Sequence, residues 1–228
     1  MIKFDEKRQQ FYSTLIHTPH GFLTRNGTQN IPESITATNF YWVRQVHGNI
    51  VLSLNKEKDF GRVTTKEADG LVYKKDRRNK ITVSVRTADC VPIIMEDSRR
   101  QIVGVVHSGW KGCNVNVAHS ALDRFLSLGS KPQDIAIAIG PAIGSCCYNI
   151  NPDREQILFD AFEESVENRE NLVKFNLLKA VYTTLLQGGV SKEAIDWRLF
   201  CTKCQKDLFT SYRSEGRGVT NMISYISI

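Results

Sequence analysis

Apolar positions along the chain follow two rhythms. Short runs dense in Val, Ile and Ala at 81–86, 91–96, 101–107 and 134–139, together with 221–227 near the end, predict β-strands. Apolar residues three and four apart over 114–128, 153–166 and 176–187 predict helices. The helix near 114 carries Val117, Leu122, Phe125 and Leu126 as its apolar face, with Asn114 or Asn116 as its cap. This mixture of periods predicts α/β or α+β layers. No repeat, low-complexity tract or Pro/Gly/Ser linker interrupts the chain, so 1–228 is expected to form one domain.

The runs 91–96 and 101–106 predict a hairpin closed by Asp97-Ser98-Arg99-Arg100. Pairing Glu96 with Gln101 sets Cys90 opposite His107, with Cβ atoms about 4.5 to 5.5 Å apart, close enough to share a metal ion or a proton. Pro92 is then expected at the first residue of its strand or on a sheet edge. Both strands are nearly continuous apolar runs, as in elements covered on both faces. Asp89, Cys90 and His107 thus gather at the end of a buried hairpin. His47, in "RQVHGN", would complete an N/N/S ligand set with one open position, the catalytic style of zinc site. Sequence spacing alone does not bring it there. A metal-free alternative makes Cys90 a thiolate nucleophile activated by His107.

Charge and cysteine content narrow the class. The net charge of +6 is scattered in short clusters rather than one stripe, which argues against nucleic-acid binding. A small anionic substrate suits it as well. Six cysteines, no leader-like start and no apolar run near 18 residues predict a soluble protein of a reducing compartment, read as cytoplasmic, without membrane association.

In order along the chain, "HGFLTR" at 20–25, "VRQVHGN" at 43–49, "EADGLV" at 67–72, "RTADCVPI" at 86–93, "VVHSGWKG" at 105–112, "AIGPAIGSCCYNI" at 138–150 and "CTKCQKDLFTSYRSEGRG" at 201–218 resemble the motifs of the laccase-domain family. That family is also called the multicopper polyphenol oxidoreductase, peptidoglycan-editing factor or purine nucleoside phosphorylase family. The resemblance implies an α/β fold of stacked mixed sheets with outer helices, and a zinc ion held by His47, Cys90 and His107. It also implies phosphorolysis of purine nucleosides (adenosine, inosine, methylthioadenosine), with adenosine deamination as a related activity. Nucleosides and phosphate would be the partners. The older labels imply polyphenol oxidation by copper, or editing of a peptidoglycan precursor by a Cys/His amide hydrolase. Copper is the weaker expectation, because three such ligands form one site and a multicopper oxidase needs several.

Asp89 is expected to orient Cys90, to move a proton, or to close a turn. Arg25, Arg44, Lys111 and Arg213 are motif-embedded cations that could meet phosphate or stay structural. Where the family usually has Arg, this chain has Lys111, a point charge in place of a bidentate fork. The glycine- and asparagine-containing stretch after "HGFLTR" is shortened here to 26–34. Gly109-Trp110-Lys111-Gly112 precedes a helix start that could favour an anion. Cys201 and Cys204 are read as inert. Cys146 and Cys147, adjacent and ill-placed to aim at one site, are read as packing residues. His20 is read as structural; His17 and His119 carry no motif support.

Overall fold

The computed structural model describes residues 1–29, 39–54, 66–75, 80–169 and 172–228. In chain order the elements are β1 (Ile2–Asp5), β2 (Gln10–Ser13), β3 (His20–Leu23), α1 (Arg25–Gln29), β4 (Asn39–Tyr41), β5 (Val51–Leu54), β6 (Gly70–Lys74), β7 (Ile81–Thr87), β8 (Val91–Asp97) and β9 (Ile102–Ser108). There follow α2 (Trp110–Asn114), α3 (Val117–Ser127), β10 (Ala136–Ile139), α4 (Pro152–Phe162), β11 (Val166–Arg169), β12 (Leu172–Phe175), α5 (Leu177–Gln187), β13 (Ile195–Trp197), α6 (Tyr212–Glu215) and β14 (Met222–Ser227). One mixed sheet has the order β1-β2-β3-β14-β7-β4, a second β13-β10-β8-β9-β6-β5, and β11 pairs with β12 alone. The class is α+β, as expected.

The alternation of side chains along β8 and β9 explains the stacking. Ile93, Met95, Ile102 and Val106 join Val117, Leu122, Phe125, Leu178 and Leu185 in a core between the second sheet and its helices. Ile94, Val103 and Val105 point the other way, onto Phe22, Val83, Val85 and Phe209 beneath the first sheet. A strand buried on both faces needs an unbroken apolar run, which is what these segments supply. Each fully buried Val, Leu or Ile contributes roughly 1.5 to 3 kcal/mol of transfer free energy.

The hairpin differs from the expected one by two residues. Asp97 pairs with Ile102 and Pro92 with His107, so Cys90 is not the residue across from His107. Asp97 is a strand residue because its buried carboxylate accepts hydrogen bonds from the Arg100 amide (3.0 Å) and the Ser130 hydroxyl (2.7 Å). Gln101, at φ 54, closes the loop behind it. A slip of two preserves which face each side chain occupies. Pro92 is neither first in its strand nor on an edge. It is the second residue of a central strand, but the ladder to β10 begins only at Ile93.

The helix expected from 114 is split. α2 starts at Trp110, Asn116 takes a left-handed φ of 57, and α3 begins at Val117. Asn116 occupies the cap position without a side-chain cap bond, and Leu126 is exposed rather than on the buried face. The helix near 153 gives way after Phe162 to one tight turn and β11, while Asn176 caps α5 by accepting from the Lys179 amide at 3.0 Å.

Candidate metal centre

The second sheet ends where β9 delivers His107 and β8 begins just after Cys90. Because Gly70 pairs with Val106, Asp69 lies beside His107, whose amide donates to the Asp69 carbonyl at 2.7 Å. The His107 Nδ1–H donates to the Asp69 carboxylate at 2.9 Å. That bond leaves Nε2 free to face the site, the arrangement of a carboxylate-oriented metal histidine.

Asp69 also positions the loop carrying His47. Its carboxylate accepts from the amides of His47 (2.9 Å) and Gly48 (2.6 Å), and more weakly from that of Val46 (3.4 Å). These bonds hold His47 in the left-handed region, at φ 61. Burial alone would push the Asp69 carboxyl up, but hydrogen bonds from His107, Gly48 and His47 and the charge on His107 hold it below the usual carboxylate range. Sequence reasoning missed this residue, although it stands in the quoted "EADGLV" segment.

Cys90 follows Asp89, whose φ of 89 is unusual for a residue with a side chain. Three bonds fix that turn. The Thr202 hydroxyl donates to Asp89 Oδ1 at 2.6 Å, the Arg213 amide to Oδ2 at 2.7 Å, and the Ile143 amide to the Asp89 carbonyl at 2.9 Å.

The structure brings His47, Cys90 and His107 together, with their donor atoms all within 4.8 Å of one another. Cys90 Sγ and His47 Nε2 are 4.0 Å apart, and the two imidazoles meet edge to face with centroids 4.8 Å apart. Two neutral nitrogens and a thiolate are borderline-soft donors suited to zinc or another late transition metal. Gly109 adds a cradle: a Cβ there would stand 2.8 Å from Cys90 Sγ and 3.2 Å from the His47 ring. Burial opposes ionisation of the Cys90 thiol, yet the His107 charge and hydrogen bonds from both histidines bring it down to about 6. Burial likewise disfavours the His107 cation, but Cys90 and Asp69 raise it to about 9. Without metal the pair is a thiolate and an imidazolium.

The expected cations fall in different places. Arg25 is committed to Glu215 (3.0 and 2.7 Å) and the Phe209 carbonyl (3.0 Å), and Arg44 to Glu67. Arg213 is tied to the centre through its amide on Asp89, and its guanidinium lies 5.3 Å from the Tyr148 ring centroid. Lys111 Nζ lies 5.7 Å from the centroid of Trp110, whose ring also meets Arg154 at 4.6 Å. Arg154 and Tyr148 are further residues that sequence reasoning did not select. Burial and then the Cys90 charge push the Tyr148 phenol up to about 12 against the opposing pull of Arg154 and Arg213, so Tyr148 feels both the centre and these two cations. Of the shortened stretch, 26–29 lies in α1, and 30–34 falls outside the described residues.

His20 is structural. It accepts from the Ser13 amide at 2.9 Å and donates to the Thr18 carbonyl at 2.8 Å, with burial lowering its basicity. Cys113 is held as a thiol, pushed up to about 12 by burial. The packing reading of Cys146 and Cys147 is corrected: both aim at Cys204, with Sγ separations of 3.7 and 3.4 Å. A tight turn, in which the amides of Cys147 and Tyr148 both donate to the Gly144 carbonyl, lets neighbouring side chains converge.

The sequence model for multi-copper polyphenol oxidoreductase laccases matches residues 24–228. A protein of Clostridium acetobutylicum called a purine nucleoside phosphorylase is 27% identical over 237 residues, spanning 97% of this chain and 92% of that protein. Purine nucleoside phosphorylase LACC1 of Mus musculus is 27% identical over 202 residues, and this chain spans 44% of its length. Among solved structures, Bacillus licheniformis hypothetical protein YfiH superposes with a TM-score of 0.85 at 22% identity, covering 100% of this chain and 98% of that one. YlmD from Geobacillus stearothermophilus gives a TM-score of 0.85 at 22% identity, covering 97% of each chain. Among the described residues no helix is long and apolar enough to cross a membrane. With a sequence match running from residue 24 to the last residue and a shared fold, this chain belongs to the multi-copper polyphenol oxidoreductase laccase family.

Proposed function

We propose that this protein is a zinc-dependent purine nucleoside phosphorylase acting on adenosine, inosine and methylthioadenosine, with His47, Cys90 and His107 as the metal ligands. The observation that carries this reading is the convergence of those three donors around the Gly109 cradle, with both histidine-bearing segments held by one buried carboxylate. Relatives called purine nucleoside phosphorylase supply the reaction class. A zinc ion there would supply Lewis-acid charge at an open fourth position. Six free thiols suit a reducing, cytoplasmic setting.

In phosphorolysis the C–N glycosidic bond breaks, a phosphate oxygen bonds to C1′, and the purine leaves with the bonding electron pair and gains a proton. The chain's own task is to hold a dianion beside the sugar and favour charge on the departing base. Arg213, Arg154 and Lys111 are the cations around the Trp110 and Tyr148 rings. Arg25 and Arg44 are already neutralised by carboxylates and are weaker choices. Asp89 orients Cys90, because each of its oxygens already accepts a structural hydrogen bond.

The thiolate–imidazolium pair favours a second reading, a metal-free Cys90/His107 amide hydrolase acting on a peptidoglycan precursor. Such a dyad has no use for His47, held at φ 61 by Asp69. Polyphenol oxidation by several coppers would require more histidine ligands, and among the described residues the only histidines in a group able to hold a metal are His47 and His107. The deciding experiment is adenosine turnover with and without phosphate, followed chromatographically. Adenine released only with phosphate supports the phosphorylase; inosine marks a deaminase, and adenine at equal rate without phosphate marks a hydrolase.

A further inference from the structure

Away from the His47/Cys90/His107 centre, the structure gathers four more thiols that this reaction does not use. Cys146, Cys147, Cys201 and Cys204 have sulfurs all within 4.8 Å of one another, and none is in a disulfide. Two separations, 3.4 Å for Cys147 to Cys204 and 3.7 Å for Cys146 to Cys204, lie near the edge of about 3.8 Å that a tetrahedron has when its centre is about 2.3 Å from each sulfur. We propose that these four cysteines form a closed tetrahedral zinc site that clamps the 144–148 turn to the 201–204 turn.

The backbone is already arranged for this. Thr202 and Ala142 are joined by an amide-to-carbonyl bond of 3.1 Å, which lays the two segments side by side. The Gln205 amide closes the Cys201–Cys204 turn on the Cys201 carbonyl at 3.0 Å. Amides of Gly144 and Cys204 point at the Cys201 sulfur, the kind of donor that steadies a metal-bound thiolate. Four thiolates around a divalent ion leave net negative charge, and Lys203 and Lys206 flank Cys204 in the chain, while Lys174 reaches the Cys146 carbonyl at 3.4 Å. A redox dithiol would use two thiols and leave two without a purpose. Four protein ligands with no open position make the site structural. Its consequence reaches the first centre, because Thr202, held between Cys201 and Lys203, donates to Asp89, the residue before Cys90. The adjacent Tyr148 is anchored by the same clamp.

The test is metal analysis of protein purified anaerobically with reductant, on the wild type and on Cys90→Ala. The expected result is that Cys90→Ala retains one zinc per chain and, reloaded with cobalt, shows the intense near-ultraviolet thiolate-to-metal bands of a four-sulfur tetrahedral site. Cys204→Ser should lose that equivalent and its bands. If Cys204→Ser does not fold, the metal count and cobalt spectrum of Cys90→Ala still decide. A Cys90→Ala protein that folds without zinc overturns the proposal. So does a mass two daltons low for each disulfide formed among the four thiols, or iron in place of zinc. Because Cys90→Ala removes the first centre, failure of the phosphorylase reading and failure of this one give different results.

Discussion

Asp69 holds His107 and His47 at once, accepting the imidazole Nδ1–H of one and the backbone N–H of the other, both at 2.9 Å. Two candidate ligands from distant segments therefore depend on one buried carboxylate. Asp69→Asn should weaken zinc binding about 10- to 100-fold, the usual cost of losing a partner that orients a metal histidine. Competition against a chromophoric chelator measures this, and unchanged affinity would remove Asp69 from the account.

Gly109→Ala places a methyl group 2.8 Å from Cys90 Sγ. Something must move, at a cost of about 1 to 3 kcal/mol. Zinc at the His47/Cys90/His107 centre should be lost while the four-cysteine equivalent and the far-ultraviolet circular dichroism stay unchanged, since Gly109 lies outside the sheets and the core clusters. Full zinc occupancy in this variant would contradict the cradle.

In the metal-free protein the Cys90 thiol ionises at about 6 instead of 9.0. A depressed value means the thiolate persists from about pH 6 upward, and its imidazolium partner lasts until about pH 9. Iodoacetamide should therefore alkylate Cys90 at near-plateau rate at pH 7, when a thiol of ordinary acidity is roughly 1% ionised. His107→Ala removes the stabilising charge and should move the midpoint upward. Added zinc should protect Cys90. A midpoint near 9 in the unaltered protein would refute the pairing.

Lys111 meets Trp110, whose other cation is Arg154. If phosphate binds there, Lys111→Arg replaces one charged bond by a fork and should lower the phosphate KM about 5- to 30-fold without altering zinc content. Lys111→Ala and Arg154→Ala should raise it, with little effect on the nucleoside KM. Steady-state kinetics with phosphate varied would show this. No change in any of the three would move the anion site to Arg213.

The fold class, strands β7 to β10 and β14, and helices α3 to α5 were legible because segments such as β8, β9, α3 and α5 carry strong apolar patterns, whereas β1 to β6 and β11 to β13 are short and were not. The hairpin register was not, since it depends on Asp97 burying its carboxylate against Ser130, a partner 33 residues away. The candidate ligands His47, Cys90 and His107 stand in recognisable motifs, but their geometry rests on Asp69, whose neighbours Ala68 and Gly70 give no periodic signal. Cys146 and Cys204 are 58 residues apart, and only a tight turn at Gly144 lets adjacent cysteines face a common partner. Arg154, near the start of α4, reaches Trp110 through tertiary packing that no spacing rule encodes.

The most direct measurement combines phosphorus nuclear magnetic resonance with chromatography of base and sugar during turnover of inosine by zinc-loaded protein in phosphate buffer. The account predicts ribose 1-phosphate appearing in step with hypoxanthine, and neither product from Cys90→Ala. Free ribose in place of ribose 1-phosphate, or undiminished product from Cys90→Ala, would contradict it.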